Sequence, residues 1–231
     1  MKIVFIADID QDVDDVVAAE YLFNTGMLDC VVLDGASRNE QREQYLKDLG
    51  ITFHDDIPLG TNVVCVGGAF TKLANYLKSN TVELVVANGG FAGTNIVEKE
   101  NELKKFKNKT AVRTYNFNLD VHSAKEVLDS PNVKNIILVS KNVCHSEFNV
   151  YNHIGLHKDM FLATHGLSPT KCLHDLLAAK ECVNTLTNQT LICQYKNVKP
   201  VVEIGEPLNM SKWGCELSDN DKIKISVGFN K

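Results

Sequence analysis

From residue 3 to residue 139 the chain alternates short apolar runs with helix-spaced segments, and this pattern predicts a layered α/β fold. The apolar runs are unbroken and rich in β-branched residues, as in strands that are buried on both faces. They lie at residues 3–7, 30–33, 62–66, 83–87 and 135–139. Repeated strand–turn–helix units favour a mostly parallel open sheet flanked by helices, with right-handed crossovers.

The remaining segments supply the flanking helices and a different C-terminal part. Helices are predicted at residues 16–22, 38–49, 70–77, 120–128 and 172–183, with less regular helical pieces at 98–106 and 158–164. Residues 115–119 alternate polar and apolar side chains. Apolar segments at residues 190–194, 201–204 and 223–227 predict a few antiparallel strands. We expect a single domain over residues 1–231, because no linker, repeat or low-complexity tract divides the chain.

Composition and charge narrow the functional classes. The chain has 231 residues, 44% of them hydrophobic, and a net charge of −5, which argues against a nucleic-acid partner. No apolar run approaches the ~20 residues of a membrane span, and the N-terminal residues lack a signal-peptide cleavage pattern. The seven cysteines include no Cys-x-x-Cys pair, so their spacing suggests neither zinc nor a redox dithiol. We therefore expect a cytoplasmic protein with reduced cysteines and no membrane partner.

The first predicted strand runs directly into a strongly acidic stretch. Five aspartates, at positions 8, 10, 12, 14 and 15, separate this strand from the following helix. In open α/β sheets, ligands bind beyond the carboxyl ends of the strands, and a hard cation such as Ca²⁺ or Mg²⁺ would neutralise so many carboxylates. The alternative is a solvated acidic turn in which Asp12 or Asp14 caps the helix.

Further polar side chains follow the other predicted strands. A parallel sheet brings the carboxyl ends of its strands to one edge, so these residues predict a pocket for a polyol or sugar beside the cation. Taken alone, a histidine at a helix start is more often structural than catalytic, and a neighbouring aspartate is explained as a helix cap. The residues concerned are Ser37, Asn88, Asn116, Asn118, Cys144, His145, His174 and Asp175.

Six short motifs, in the same order along the chain, resemble the inosine–uridine nucleoside hydrolases. The most specific is Asp8-Ile9-Asp10-Gln11-Asp12-Val13-Asp14-Asp15, which is similar to the family's Asp-x-Asp-Pro-Gly-x-Asp-Asp. Residues 68–74 resemble Gly-Pro-Leu-Thr-Asn-x-Ala, and residues 88–95 resemble Met-Gly-Gly followed by Gly-Asn. Residues 116–118, 142–145 and 173–178 resemble Glu-Phe-Asn, Asp-Val-Thr-His and Val-His-Asp-Pro-x-Ala. The resemblance runs nearly end to end and implies the nucleoside hydrolase fold.

The resemblance also implies an activity, namely Ca²⁺-dependent cleavage of the N-glycosidic bond of ribonucleosides to ribose and free base. Asp10, Asp15, Asp175 and the backbone carbonyl of Cys144 match the ligands of the ion. Asp10 also matches the residue that orients the attacking water and takes its proton. His174 matches a histidine that protonates the leaving base. The bond would break through an oxocarbenium-like state, as in other glycoside hydrolysis.

The same resemblance implies where the substrate binds. Asp14 matches the residue that holds the ribose 2′-hydroxyl, and Asn95 and Asn118 match other ribose contacts. At the 5′ end, Asn88 and Asn116 stand where the family has Met and Glu. Losing the Glu charge and gaining amide donors favours 5′-substituted ribosides, including 5′-monophosphates, as substrates. The alternative, that both asparagines hydrogen-bond loop backbone, stays open.

Two departures from the family pattern concern catalysis directly. Gln11 and Asp12 replace the Pro-Gly of the first motif, and the segments at 37–68 and 144–174 are shorter than in the family. The ion and the ribose floor are expected to be kept and the lid lost, which weakens the exclusion of water. Whether the chain forms a homo-oligomer is left open.

Other classes fit the sequence less well. A haloacid-dehalogenase-like phosphatase needs Thr or Val and then Gly after the second aspartate, where this chain has Gln11 and Asp12. An EF-hand counted from Asp8 has Val13 in place of Gly and Ala19 in place of Glu. His174-Asp175 alone permits a metal-dependent phosphohydrolase, but that class is all-helical. The non-enzymatic alternative is a Ca²⁺-stabilised nucleoside- or ribose-binding relative with weakened catalysis.

Overall fold

The computed structural model describes residues 1–9, 13–35, 38–146 and 172–230. Its strands, numbered in chain order, are β1 (Ile3–Ala7), β2 (Leu28–Leu33), β3 (Phe53–His54), β4 (Val63–Val66), β5 (Val82–Asn88), β6 (Ala111–Val112), β7 (Val133–Val139), β8 (Cys193–Glu203), β9 (Lys212–Leu217) and β10 (Ile223–Phe229). They form one sheet in the order β3-β2-β1-β4-β5-β7-β10-β8-β9-β6.

The helices flank this sheet and connect its parallel strands. They are α1 (Asp14–Asn24), α2 (Glu40–Asp48), α3 (Thr71–Leu77), α4 (Tyr115–Leu119), α5 (Val121–Asp129), α6 (Lys141–Cys144) and α7 (His174–Leu186). Asp120 begins α5 as predicted, because its carboxylate accepts the backbone N–H of Ser123 at 3.0 Å. Short 3₁₀ turns lie at Lys99–Asn101, Lys104–Phe106 and Leu208–Met210.

The parallel part of the sheet is buried on both faces, which explains why its strands are mostly apolar, with exposed polar residues near the starts of β2, β5 and β7. Along β1, Val4 and Ile6 face one hydrophobic cluster, together with residues of α3 and α5. Phe5 and Ala7 face the other cluster, together with residues of α1 and α7. The side chains alternate because successive residues of a strand point to opposite faces. Helices α1 and α7 therefore lie on the same side of β1, and this arrangement positions the site described below.

The predicted fold class is confirmed. Seven strands, β3-β2-β1-β4-β5-β7-β10, pair in parallel, and β8, β9 and β6 continue the sheet in antiparallel pairs. β10 joins the two parts, since it pairs in parallel with β7 and antiparallel with β8. The single domain stays a prediction.

Two local predictions are corrected by the structure. The two strands expected at 190–194 and 201–204 are one strand, β8, and the charged piece at 98–106 is two 3₁₀ turns. The sequence pattern did not predict β3 or β9. Residues 115–119, whose polar and apolar side chains alternate, form the short helix α4, in which the adjacent residues Asn116 and Phe117 are both buried. The helix predicted at 158–164 lies outside the described residues.

Among the helices that the structure describes, none is both long and apolar enough to cross a membrane.

Candidate active site

Three aspartates from two distant parts of the chain meet at the carboxyl edge of the parallel sheet. Asp14 and Asp15 begin α1, directly after β1, and Asp175 is the second residue of α7. Each has a carboxylate oxygen within 4.8 Å of the others, and the residues are 4%, 1% and 3% exposed. Helices α1 and α7 pack against each other and against the same face of the sheet. We call these three residues the carboxylate cluster.

Gly67 makes this close approach possible. It follows β4 and is held by its backbone N–H, which donates to the carbonyl of Ile6 at 2.7 Å. A Cβ atom at this position would lie 2.9 Å from Oδ1 of Asp15 and 2.9 Å from Cγ of Asp175. Real Cβ contacts are essentially never so short, and the obstructing groups are buried carboxylates. The backbone of β4 thus lies directly against two members of the carboxylate cluster.

The electrostatics of the carboxylate cluster are unfavourable without a proton or a cation. Burial raises the pKa of Asp15 well above its usual value, and the charges of Asp175, Asp8 and Asp14 raise it further. Burial and the charge of Asp14 likewise raise the pKa of Asp175. Two donors partly compensate, since the backbone N–H of Asp8 bonds Asp15 at 3.3 Å and the Asn88 amide bonds Asp175 at 2.8 Å.

The donor set fits a hard divalent cation. Three carboxylates within 4.8 Å of one another supply only oxygen ligands, which Ca²⁺ and Mg²⁺ prefer. Because Gly67 has no Cβ atom, these carboxylates can lie close together beside it. A cation between them would also remove the repulsion that raises both pKa values.

A small polar network extends from the cluster along the strand ends. Asn88, the last residue of β5, connects Asp175 to Cys144, whose sulfur lies 3.7 Å from Oδ1 of Asn88. The amide of Asn116 donates to the carbonyl of Gly67 at 2.7 Å and to that of Asn88 at 3.0 Å. Both N–H groups of Asn116 are thereby used. Asn88 and Asn116 therefore bind protein groups at the edge of the cluster.

Two predicted ribose contacts lie in a different network. The amide of Asn95 donates to the carbonyl of Cys215 in β9 at 2.8 Å. Asn118 donates to the carbonyls of Asn209 and Ser211 and accepts the indole N–H of Trp213 at 2.7 Å. Within the described part of the chain, neither side chain hydrogen-bonds a member of the carboxylate cluster. Asn95 lies in the loop after β5 and Asn118 lies in α4, and both fasten these segments to the C-terminal part of the chain. Their contact with ribose stays a prediction.

His174 lies beside the cluster, at the first position of α7. Its ring packs edge-on against the ring of His145, with the centroids 4.8 Å apart. His145 follows α6 and also packs edge-on against Phe106 at 5.8 Å. Both histidines are half-buried, and Nε2 of His174 lies beneath the surface. A histidine in this position can donate a proton to a group bound next to Asp175.

Two predicted site residues lie outside the described residues, namely Asp10 and Ser37. The role of the Cys144 carbonyl as a metal ligand also stays a prediction. The side-chain contacts of Cys144 involve its sulfur. The sequence pattern did not single out Gly67, which it indicated only as part of a turn. The available signal was its position at the carboxyl end of β4, where a parallel sheet places its ligands.

A cavity of about 270 Å³ opens beside the site at the ends of β1 and β2. Asp8 forms part of its wall, together with Gly35, Arg38, His54 and Lys72. A Cβ at Gly35 would lie 2.6 Å from Cβ of Asp8, so the two strand ends are in close contact there. Mixed charges line this cavity, as expected for a site that binds a polar molecule.

Comparison with known proteins gives a structural likeness and no sequence match. No protein-family model matches the chain, and no curated protein matches it. A crystal structure of an inosine-uridine preferring nucleoside hydrolase from Bacillus anthracis superposes with a TM-score of 0.56 at 15% identity, covering 100% of this chain and 95% of that one. An inosine-guanosine nucleoside hydrolase superposes with a TM-score of 0.59 at 10% identity, covering 99% and 94%. At these identities the likeness shows a shared fold.

Proposed function

We propose that the protein is a Ca²⁺-dependent hydrolase that cleaves the N-glycosidic bond of ribonucleosides to ribose and free base. The observation that carries this proposal is the buried carboxylate cluster at the carboxyl edge of a nucleoside-hydrolase-like sheet. A purely structural role does not account for three carboxylates so close together, because their burial and mutual repulsion destabilise the fold. The two motif segments that converge here are the ones whose residues match metal ligands in the resembled family.

Asp15 and Asp175 would hold the ion, together with Asp10 and the carbonyl of Cys144. When bound, Ca²⁺ supplies a positive charge that lowers the pKa of a water molecule and helps to position it. Asp10 would take the proton of the attacking water as the water oxygen forms the bond to C1′ of the ribose. Asp14, buried beside Asp15, accepts a hydrogen bond from the 2′-hydroxyl.

The breaking bond places its charges on opposite sides of the site. The electron pair of the C1′–N bond leaves with the base, and positive charge develops on the sugar. Buried carboxylates beside the sugar stabilise this charge more strongly than they would in water. His174 donates a proton to the departing base, and the edge-on contact with His145 holds its ring next to Asp175.

The 5′ end of the substrate requires a revised assignment. Both amide hydrogens of Asn116 are used by backbone carbonyls, which supports the alternative that this residue has a structural role. Three cations lie near α6 instead: Lys141 begins this helix, and its ammonium group donates to the carbonyl of Arg113 at 2.9 Å. Burial lowers the pKa of Lys141, and the charges of Lys105 and Arg113 lower it further. We extend the proposal to 5′-phosphorylated ribosides, with these cations as the phosphate ligands.

The proposal is tested by assaying the metal-stripped protein with inosine, uridine and an activated aryl riboside, before and after Ca²⁺ is added. We expect Asp10→Asn to remove cleavage of every substrate, because the water then lacks its base. His174→Ala should slow inosine by about 10²–10⁴-fold and spare the aryl riboside, whose leaving group needs no proton. Asp129→Asn, on the exposed surface of α5, is the matched control.

Three outcomes of this assay separate the candidate functions. Binding of inosine without ribose release would identify the binding-only relative. Equal losses of both substrate types in His174→Ala would contradict the role of His174 as an acid. The same assay with inosine 5′-monophosphate, in the wild type and in Lys141→Met, tests the phosphate extension: a preference for free inosine that is unchanged in Lys141→Met would contradict it.

A further inference from the structure

A second cluster of possible metal ligands, chemically unlike the first, lies at the start of α7. His145, Cys172 and His174 each have a ligand atom within 4.8 Å of the other two. All three residues are half-buried, whereas the members of the carboxylate cluster are fully buried. Their donors are two imidazole nitrogens and one sulfur, with no oxygen among them. We call these residues the nitrogen–sulfur cluster.

The sequence does not reveal this cluster, since its residues form no Cys-x-x-Cys or paired histidine motif. Cys172 and His174 are two residues apart at the start of α7, and His145 comes from the residue after α6. The fold joins them because α7 packs against β5 and β7 on the face where α6 follows β7. His145 is kept in place by the edge-on rings of Phe106 and His174.

The chemistry of the ligands selects the ion. Zn²⁺ binds imidazole nitrogen and thiolate sulfur in tetrahedral sites, and three protein ligands leave a fourth position open. Ca²⁺ and Mg²⁺ require oxygen ligands, so the nitrogen–sulfur cluster discriminates against the ions that suit the carboxylate cluster. The two adjacent clusters therefore differ in ligand type, in burial and in the class of ion each accepts.

The surrounding charges are consistent with metal binding. Lys105 lies near Cys172. Burial lowers the pKa of Lys105, and the negative charge of a Cys172 thiolate raises it and so opposes that effect. A neighbouring ammonium group favours the thiolate form of a cysteine, which is the form that binds metals. The carboxylate cluster adjoins the nitrogen–sulfur cluster, because Asp175 directly follows His174. Its negative charge attracts a divalent cation and offsets the repulsion from Lys105.

We propose that His145, Cys172 and His174 form a Zn²⁺ site at the mouth of the candidate active site. Occupation of this site engages a ring nitrogen of His174 and prevents this residue from donating a proton. Zn²⁺ should thus inhibit cleavage of nucleosides whose base needs that proton, without displacing Ca²⁺. Binding of Zn²⁺ is independent of the proposed function, while the inhibition rests on it.

The binding experiment uses the metal-stripped full chain and needs no activity. Co²⁺ serves as a spectroscopic substitute for Zn²⁺, and Zn²⁺ affinity is measured by competition with a chromophoric chelator. We expect one ion per chain and a cobalt–thiolate charge-transfer band in the wild type. Cys172→Ser should abolish the band. Both Cys172→Ser and His145→Gln should weaken Zn²⁺ binding by on the order of 10–100-fold.

Three controls test whether these residues, and no others, bind the ion. His122→Gln, on the exposed surface of α5, should bind Zn²⁺ like the wild type. Asp15→Asn should keep the cobalt–thiolate band, since it alters only the carboxylate cluster. Melting curves of every variant confirm that it is folded. A Co²⁺ spectrum without a sulfur band, or equal Zn²⁺ affinity in wild type and Cys172→Ser, would overturn the proposal.

The kinetic experiment follows once cleavage has been measured. Zn²⁺ should inhibit the wild type with inosine and leave Cys172→Ser active at the same Zn²⁺ concentration. Inhibition that is equal in both proteins would exclude the inhibitory role of the nitrogen–sulfur cluster. If the protein shows no ribosyl hydrolase activity but does show the cobalt–thiolate band, the proposed function is refuted and the metal site is retained.

Discussion

Helix α7 carries two buried acids whose surroundings differ in kind. Asp175, near its beginning, faces Asp14 and Asp15 and receives one amide hydrogen bond, from Asn88. Glu181, further along, is 0% exposed, and its two oxygens accept the backbone N–H groups of Ile192 and Cys193 at 3.2 and 2.6 Å.

The difference teaches how to distinguish a structural acid from a functional one. Glu181 fastens the start of β8 to α7, because one oxygen accepts the N–H of Cys193, the first residue of that strand, and the other accepts that of Ile192, the residue before it. Burial raises its pKa above the usual value, and the hydrogen bonds from Cys193 oppose part of this rise. Asp175 has further carboxylates for neighbours, and the charge of Asp14 adds to the effect of burial on its pKa. A buried acid whose neighbours are other acids requires a bound cation or a proton, whereas one surrounded by donors requires neither.

The largest expected effect is on activity. Asp175→Asn should lower kcat/KM for inosine by on the order of 10³-fold, comparable to the loss of one catalytic group. Glu181→Gln, a substitution of the same chemical type on the same helix, should change kcat/KM by less than about threefold, since Glu181 contacts β8 and not the site. Steady-state kinetics with saturating Ca²⁺ measure both. Similar losses in the two variants would mean that Asp175 acts through the fold alone.

The second effect concerns metal binding and pH. Ca²⁺ at 100 times its dissociation constant should raise the free energy of unfolding of the wild type by about 2.7 kcal/mol. Without metal, the raised pKa values of Asp15 and Asp175 mean that the folded state binds more protons than the unfolded state. The stability of the metal-free protein should therefore fall as pH rises from about 4 through those raised values.

Chemical denaturation at a series of pH values, with and without Ca²⁺, measures this second effect. Asp15→Asn removes a like charge and a ligand together, so both the pH slope and the response to Ca²⁺ should diminish. A metal-free stability that is flat over this pH range, with no response to Ca²⁺, would contradict the assignment of the cluster as a cation site.

The smallest effect is on stability and has opposite signs at the two acids. Glu181→Gln should destabilise the protein by about 2 kcal/mol. Glutamine has an NH₂ group where Glu181 has its second oxygen, so one of the two backbone N–H groups loses its acceptor. In metal-free protein near neutral pH, Asp175→Asn should instead stabilise it, because a buried negative charge is removed from beside two others. Urea denaturation measures both, with the exposed Glu126→Gln as control. Destabilisation of equal size in both variants would contradict the distinction between Asp175 as a functional acid and Glu181 as a structural one.

The sequence was sufficient to predict most of the parallel part of the fold. Buried parallel strands are continuous apolar runs, and the run at residues 3–7 coincides with β1. The run at 115–119 was ambiguous because five residues are too few to separate a strand period from a helix period. The merging of 190–194 and 201–204 into β8 was hidden by polar residues between them, which an antiparallel strand near the sheet edge tolerates.

The site was partly predictable for a similar reason. Asp14, Asp15 and Asp175 belong to short motifs at strand ends and helix starts, and parallel sheets gather such positions at one edge. Asn118 belongs to a motif as well, but its partner Trp213 lies in β9, a strand that the sequence pattern did not reveal. Glu181 gave no signal, because a glutamate inside a helix is ordinarily solvated. Tertiary contacts of this kind follow from which distant segments meet, and local patterns do not encode that.

The position of β10 between β7 and β8 constrains how the protein folds during synthesis. The residues of β7 leave the ribosome before those of β8, yet the strand that joins them in the sheet is made after both. Until β10 arrives, β7 and β8 each expose an edge able to pair with another chain. The acids of the carboxylate cluster lie on α1 and α7, which are both made before β10. Divalent cations present during translation would therefore stabilise the nascent parallel half before β10 covers its open edge.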